Sequence, residues 1–130
     1  MPDSPKRISP QEASDYLARG YTYLDVRTQE EFAEGRPAGS INVPFAVMQG
    51  GSMTPNPAFV STVEARFPKD AKLVLGCRSG GRSLRAAHAL LAAGFTDVID
   101  QRAGWDGVRD PFGQLTEPGW VRAGLPTEQG

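Results

Sequence analysis

Hydrophobic positions along this chain switch between two spacings, and the switches mark its elements. Ser9, Pro10 and Glu12 make a helix start: a capping serine, a proline suited to the first helical position, and a glutamate that completes a capping box. Ala13, Tyr16 and Leu17 then share one helical face, and Gly20 ends the helix. Residues 21–26 are rich in aromatic and β-branched side chains and predict a strand. Thr28-x-x-Glu31 is a second capping box, opening a short helix that stops at Gly35. Residues 41–43 predict a short strand ended by Pro44, and residues 49–56, with Gly50, Gly51 and Pro55, read as loop. From Asn56-Pro57 a helix is expected to about Phe67, with Phe59, Val63 and Phe67 at helical spacing. Residues 72–76 are apolar without alternation, as strands covered on both faces are. Leu84, Ala87 and Leu91, widened by Leu90, mark a helix over 83–93. Gly94 suits the left-handed position after it, and Phe95 the hydrophobic contact beyond. Residues 97–100 predict a last strand. Residues 104–119, rich in glycine, proline and charge, read mostly as loop, and 117–123 as a closing helical turn.

Strands alternating with helices argue for an α/β domain with a largely parallel sheet. Residues 1–130 are read as one domain with its core at about 8–127, without repeats or low-complexity segments. Hydrophobic content of 39% and charged content of 22% fit a soluble globular chain. Fourteen basic residues against fifteen acidic, with no basic run, argue against a nucleic-acid surface. No apolar run reaches membrane-spanning length, and residues 1–5 hold no leader-like apolar stretch, so the expectation is cytoplasmic. No heptad or unpartnered apolar helix face is visible, so a monomer is the default.

The only cysteine, Cys77, sits where an apolar run turns into Arg78-Ser79-Gly80-Gly81-Arg82-Ser83 and then a helical pattern. One cysteine excludes an internal disulfide. A thiol that stays reactive fits a reducing compartment. At a strand end facing a helix N-terminus, free backbone N–H groups and the helix dipole stabilise an anion and so favour a thiolate. Arg78 and Arg82 add fixed positive charge, which serves the thiolate or an anionic substrate. A buried packing cysteine is the commoner fate of a lone thiol. It does not call for two glycines, two serines and two arginines in the next six residues.

Cys77 to Ser83 resembles the active-site loop of the rhodanese (thiosulfate sulfurtransferase) family, Cys-x4-Arg-Ser/Thr. Leu24-Asp25-Val26-Arg27, Glu31-Phe32, Gly35 and Gly39-Ser40-Ile41-Asn42-Val43-Pro44 resemble that family's N-terminal signature. Ala103-Gly104-Trp105, with Gly119-Trp120 and Ala123-Gly124-Leu125-Pro126, resembles its C-terminal end. The blocks fall in the family's order from about Ile8 to Thr127. The resemblance implies a five-stranded, mostly parallel sheet with helices on both faces. It also implies a Cys77 persulfide that moves sulfur from a small anionic donor such as thiosulfate to cyanide, a small thiol or a protein thiol. No metal, organic cofactor or general base is implied. Arg78 is expected to point outward toward the donor, and Arg82 to brace the loop or face the anion. Gly80 and Gly81 are expected to permit positive φ or close backbone approach, and Ser79 and Ser83 to donate to the anion or cap the helix. Asp25 and Arg27 are implied to be supporting residues, with an Arg27–Glu31 ion pair and Asp25 bonded to nearby backbone. Where the family commonly has Gly-His, this chain has Gly35-Arg36-Pro37, so no histidine role carries over to Arg36.

Two other readings use the same thiol. Cysteine phosphatases and arsenate reductases share the thiolate chemistry, but phosphatase loops hold five residues between Cys and Arg, and here there are four, Arg78 to Gly81. A smaller ring suits a persulfide and crowds a phosphoryl group, and no Asp is obviously placed as a general acid. The second is a non-catalytic persulfide carrier or sensor. Elsewhere, His88 reads as a surface or packing residue and Trp105 and Trp120 as the edge of a core, with a substrate wall the lesser reading. Phe45, Met48 and Met53 flank either a site rim or ordinary packing, and residues 106–118 form a recognition loop or a tolerated insertion.

Overall fold

The computed structural model describes residues 4–130; residues 1–3, part of the segment read as lacking a leader, lie outside the described residues. Five strands form the central sheet: β1 (Lys6–Ile8), β2 (Thr22–Asp25), β4 (Ile41–Asn42), β7 (Leu73–Gly76) and β8 (Val98–Gln101). Their order is β1-β8-β7-β2-β4, and each neighbouring pair is parallel. The helices are α1 (Pro10–Ala18), α2 (Gln29–Glu34), α3 (Phe59–Arg66) and α4 (Gly81–Ala92). Parallel neighbours need crossovers, and the helices supply them.

The sheet is covered on both faces, which is why β7 lacks alternation. Leu24, Leu73 and Leu75 pack with Phe59, Val63 and Leu90 of α3 and α4. Tyr23, Val74 and Ile99 face the other way, with Ile8, Ala13 and Trp120. Both capping boxes are formed, Ser9 with Glu12 and Thr28 with Glu31. At the end of α4, Gly94 has φ +104°, Gly94 N–H donates to Leu91 and Phe95 N–H to Leu90. This is the pair of bonds that ends a helix on a left-handed glycine.

Three small antiparallel pairs complete the molecule, and none was expected. β5 (Ala46–Gln49) and β6 (Ser52–Pro55) pair across Gly50-Gly51, both at positive φ. A two-residue hairpin turn with positive φ at both positions wants this dipeptide, so the segment read as loop is mostly hairpin. β9 (Gly107–Arg109) and β10 (Leu115–Pro118) make a second hairpin inside the presumed loop. β10 runs to Pro118, so the expected closing turn over 117–123 starts later: residues 120–124 form it, with the Ala123 N–H donating to Gly119 O at 2.9 Å. β3 (Arg36–Pro37) pairs with β11 (Thr127–Glu128) and ties the end of the chain back to the end of α2.

Candidate active site

Cys77 follows the last residue of β7, Gly76. A Cβ at Gly76 would overlap the Tyr23 hydroxyl, so the strand must end on glycine there. Cys77 is 2% exposed, and its Sγ accepts a hydrogen bond from the Gly80 N–H at 3.0 Å. Gly80 is the residue before α4 and has φ +101°. That backbone is open to glycine, and a side chain there would also run into the Arg102 carbonyl. The helix start carries no side-chain cap. The first-turn amides of α4 are therefore not spent on a side-chain acceptor beside the thiol. The Ser83 hydroxyl is fully buried and donates to the Gly80 carbonyl at 3.4 Å, not to the sulfur. Gly81 has open space around it, and Ser79 is exposed.

The loop is pressed into place from the C-terminal side. Trp105 N–H donates to Cys77 O at 2.7 Å, and Asp106 N–H to Arg78 O at 2.9 Å. Gly104, at φ +66°, lies so close to the Cys77–Arg78 backbone that a Cβ would come within 2.6 Å of Arg78 O. Gln101 holds the turn that delivers Gly104. Its Oε1 accepts from the Ala103 and Gly104 N–H groups, and its Nε2 donates to Gly104 O and Tyr23 Oη. Every polar atom of this buried amide is used, as burial demands. A polar residue closing an apolar strand was its only signal in the sequence.

Arg82 and Arg27 both find carboxylates, and the one Arg27 finds is not the one expected. Arg27 turns back on Asp25: Nη2 reaches Oδ2 at 2.7 Å, and Nε meets both oxygens. Asp25 Oδ1 also accepts the Arg27 backbone N–H, and Arg27 Nη2 donates to Gly35 O. The pair is 1% and 3% exposed. The expected Arg27–Glu31 pair is corrected to Arg27–Asp25. Glu31 is taken instead by Arg82, whose Nη1 and Nη2 reach its two oxygens at 2.8 and 3.2 Å. Burial would raise the Glu31 carboxyl, but the Arg82 and Thr28 hydrogen bonds and the Arg82 charge outweigh it and bring it to about 2. Glu31 thus closes a capping box and clasps the loop-end arginine. Only the first of these roles shows in a local motif.

Arg78 is exposed and has no ion-pair partner among the described residues. It lies on two clefts. One, of about 190 Å³, is lined by Arg27, Glu31, Gly35, Arg78, Trp105 and Asp106, among others. The second, of about 450 Å³, lies between the loop and the β9–β10 hairpin, with Ser79 and Arg109 in its wall. Trp105 packs against the second core cluster, as the core-edge reading has it, and its ring also lies 5.0 Å from the Arg27 guanidinium in the wall of the smaller cleft. Trp120 is core, with Nε1 bonded to Pro126 O. Phe45 packs edge-on against Phe59 beside the core, and Met48 lines a cleft with Gln29. His88 is exposed on α4.

A family model of the rhodanese-like domain matches residues 9–110. The chain belongs to the rhodanese-like family. This rhodanese-like chain is 40% identical over 124 residues to "Thiosulfate sulfurtransferase 16, chloroplastic" of Arabidopsis thaliana, covering 95% of this chain and 93% of the relative. It is 37% identical over 93 residues to "Protein HIGH ARSENIC CONTENT 1, mitochondrial" of the same plant, covering 72% of this chain and 55% of that one. It spans just over half the length of several other plant relatives. The crystal structure of Rv0390 from M. tuberculosis superposes with a TM-score of 0.82 at 29% identity, covering 98% of this chain and all of that one. The α/β rhodanese-like fold, a five-stranded parallel sheet with helices packed against it, is therefore shown by topology and by likeness together.

Proposed function

We propose that this domain is a thiosulfate sulfurtransferase that works through a Cys77 persulfide. The observation that carries the reading is the Gly80 N–H 3.0 Å from the Cys77 sulfur at the uncapped start of α4, beside Arg78, which has no ion-pair partner among the described residues. The Cys77 thiolate attacks the outer sulfur of thiosulfate; the S–S bond of the donor breaks, sulfite leaves with the bonding pair, and Cys77 keeps a persulfide anion. Loop amides stabilise the charge on the terminal sulfur. Cyanide or a thiolate then attacks that sulfur, and the cysteine thiolate is regenerated. No proton need move, so no general base is needed.

Arg78 docks the donor's sulfonate end. Arg82, with both terminal nitrogens on Glu31, serves as a brace. A nucleophile only 2% exposed meets a slender terminal sulfur more readily than a bulky ester. Together with the four-residue spacing, this favours sulfur transfer over phosphoryl chemistry. The relatives named as chloroplastic and mitochondrial carry the same domain, so the fold does not fix a compartment. No helix among the described residues is long and apolar enough to cross a membrane.

The test is thiocyanate production from thiosulfate and cyanide, wild type against Cys77→Ser, with intact mass after thiosulfate alone. Turnover that depends on Cys77, with a gain of one sulfur atom, is expected. Turnover with arsenate or a phosphate ester, and no added sulfur, would overturn the reading. Added sulfur without turnover would replace the enzyme with a persulfide carrier.

A further inference from the structure

Behind the catalytic loop lies a charged pair that the scheme above does not use. Asp100 is fully buried near the C-terminal end of β8, and Arg7 stands opposite it in register on β1. Arg7 Nε donates to Asp100 Oδ2 at 2.7 Å. The same guanidinium continues to the loop: its Nη2 lies 3.4 Å from the Gly80 carbonyl and 3.0 Å from where a Gly80 Cβ would stand. The Ser83 hydroxyl and the Leu84 N–H reach the same carbonyl at 3.4 and 3.2 Å. The Leu84 N–H, with Arg7 Nη2 and the Ser83 hydroxyl at longer range, restrains ψ at Gly80. The Arg102 carbonyl packed against its α-carbon helps fix φ at +101°. With both angles set, the Gly80 N–H has one direction, toward Cys77 Sγ.

Asp100 is a poor choice for stability alone. Its Oδ1 is buried with no hydrogen-bond partner among the described residues, an arrangement that costs free energy. Burial pushes its carboxyl up from the ordinary range. The Ser83 hydroxyl and the hydrogen bond and charge of Arg7 oppose that rise. What the carboxylate does accomplish is to hold Arg7, whose side chain is 39% exposed even in the pair.

We propose that Arg7 and Asp100 are positioning residues: together they clamp Gly80 so that its N–H stays aimed at the sulfur that becomes the persulfide. This rests on the sulfurtransferase reading. Its test reads the thiol directly and does not depend on turnover. Arg7→Lys is the decisive variant. A lysine keeps the positive charge and reaches Asp100, but one ammonium on a flexible stem does not reproduce the guanidinium's span from Asp100 to the Gly80 carbonyl. The groups nearest the thiol, Asp25 and Arg27 at the end of β2, Arg78, and the Glu31–Arg82 clasp between α2 and α4, stay unchanged.

Alkylation of Cys77 by iodoacetamide is followed from pH 6 to 10, alongside kcat and KM for thiosulfate and thermal unfolding. In Arg7→Lys the alkylation rate at pH 7 and kcat should fall together by about fivefold, the effect of losing roughly one hydrogen bond. Alkylation at pH 10 should match wild type, and KM should stay within about twofold, because the donor's own contact at Arg78 is intact. Asp100→Ala gives a test by sign. Through-space charge alone would speed alkylation at pH 7 when a carboxylate is removed, whereas loss of the clamp slows it. An Arg7→Lys protein that unfolds earlier yet keeps the wild-type alkylation profile and kcat would show a merely structural pair and overturn the proposal. Because Arg7 is partly exposed, that variant decides the matter even if Asp100→Ala fails to fold. A wild type that alkylates normally but transfers no sulfur would instead strike the reading of function.

Discussion

Arg78 and Arg82 are both arginines of one loop, yet their surroundings divide their work. Arg82 spends its two terminal nitrogens on Glu31, while Arg78 stands between two clefts and makes no ion pair among the described residues. Arg78→Ala should therefore raise the KM for thiosulfate by about tenfold, with a smaller change in kcat, since a charge-assisted contact contributes about 1.5–3 kcal/mol and an exposed one sits at the low end. An uncharged persulfide donor should lose much less; equal losses for both donors would contradict a charge-based role. Gly80 makes a sharper test of geometry. Its φ of +101° and the Arg102 carbonyl against its α-carbon leave no room for a methyl group. Gly80→Ala should cost about 2 kcal/mol or more in denaturant unfolding and slow Cys77 alkylation at neutral pH. A stable, fully reactive alanine variant would mean that the loop tolerates another path.

Between elements, the contact that matters most is the one from α2 to the start of α4, Glu31 to Arg82. Its carboxyl lies at about 2 in the folded protein against an ordinary 4.5. The unfolded chain therefore binds more protons between those limits, and stability rises with pH there. The contribution is complete above about pH 4.5 and is lost as pH falls toward 2. Asp100 runs the other way, because its carboxyl is raised by burial and so favours the folded state as pH falls. Comparing wild type with Glu31→Gln isolates the first effect. The glutamine variant should be less stable at pH 6 and should lose less than wild type between pH 4.5 and 2.5 in urea titrations; parallel pH profiles would rule the clasp out. The sequence could show Glu31 as a cap but not as a clasp. A capping box is local chemistry, written within four residues, whereas Arg82 arrives from 51 residues away. The expected Arg27–Glu31 pair fails for the same reason: Glu31 is claimed from across the molecule, and Arg27 folds back onto Asp25 at the strand end. The two hairpins were obscured differently. Gly50-Gly51 reads as a breaker until both residues are seen at positive φ, where the same pair is the preferred two-residue turn.

At the scale of the whole molecule, the two capped helix starts, the strands around the loop and the site loop itself were legible, because they repeat patterns that burial and capping impose locally, whereas α4, uncapped, starts two residues before the expected Ser83. The two ends of the chain were not. β1 is three residues with one buried side chain, too short for any periodicity, yet it completes the sheet edge and brings Arg7 to the loop. The family match ends at residue 110, but the fold does not. Trp120, 2% exposed, sits edge-on to Tyr23, 5.5 Å between rings, within the cluster of Ile8, Ala13, Val74 and Ile99. Its N–H donates to Pro126 O at 2.7 Å, and Pro126 O also accepts from Ala38, so one carbonyl joins the indole, the chain end and the segment after α2. Tyr23 in turn touches Gln101 and overlies Gly76, the residue before Cys77. The indole therefore supports the floor of the site from the face opposite α4. Trp120→Ala should cost about 3–5 kcal/mol, the range for emptying a large aromatic position in a core. Trp120→Phe should retain most of the packing and lose the bond to Pro126. If the floor is supported this way, the alanine variant will also slow sulfur transfer at temperatures where it is still folded, with the phenylalanine variant close to wild type. A destabilised alanine variant with full kcat below its unfolding transition would confine Trp120 to the core.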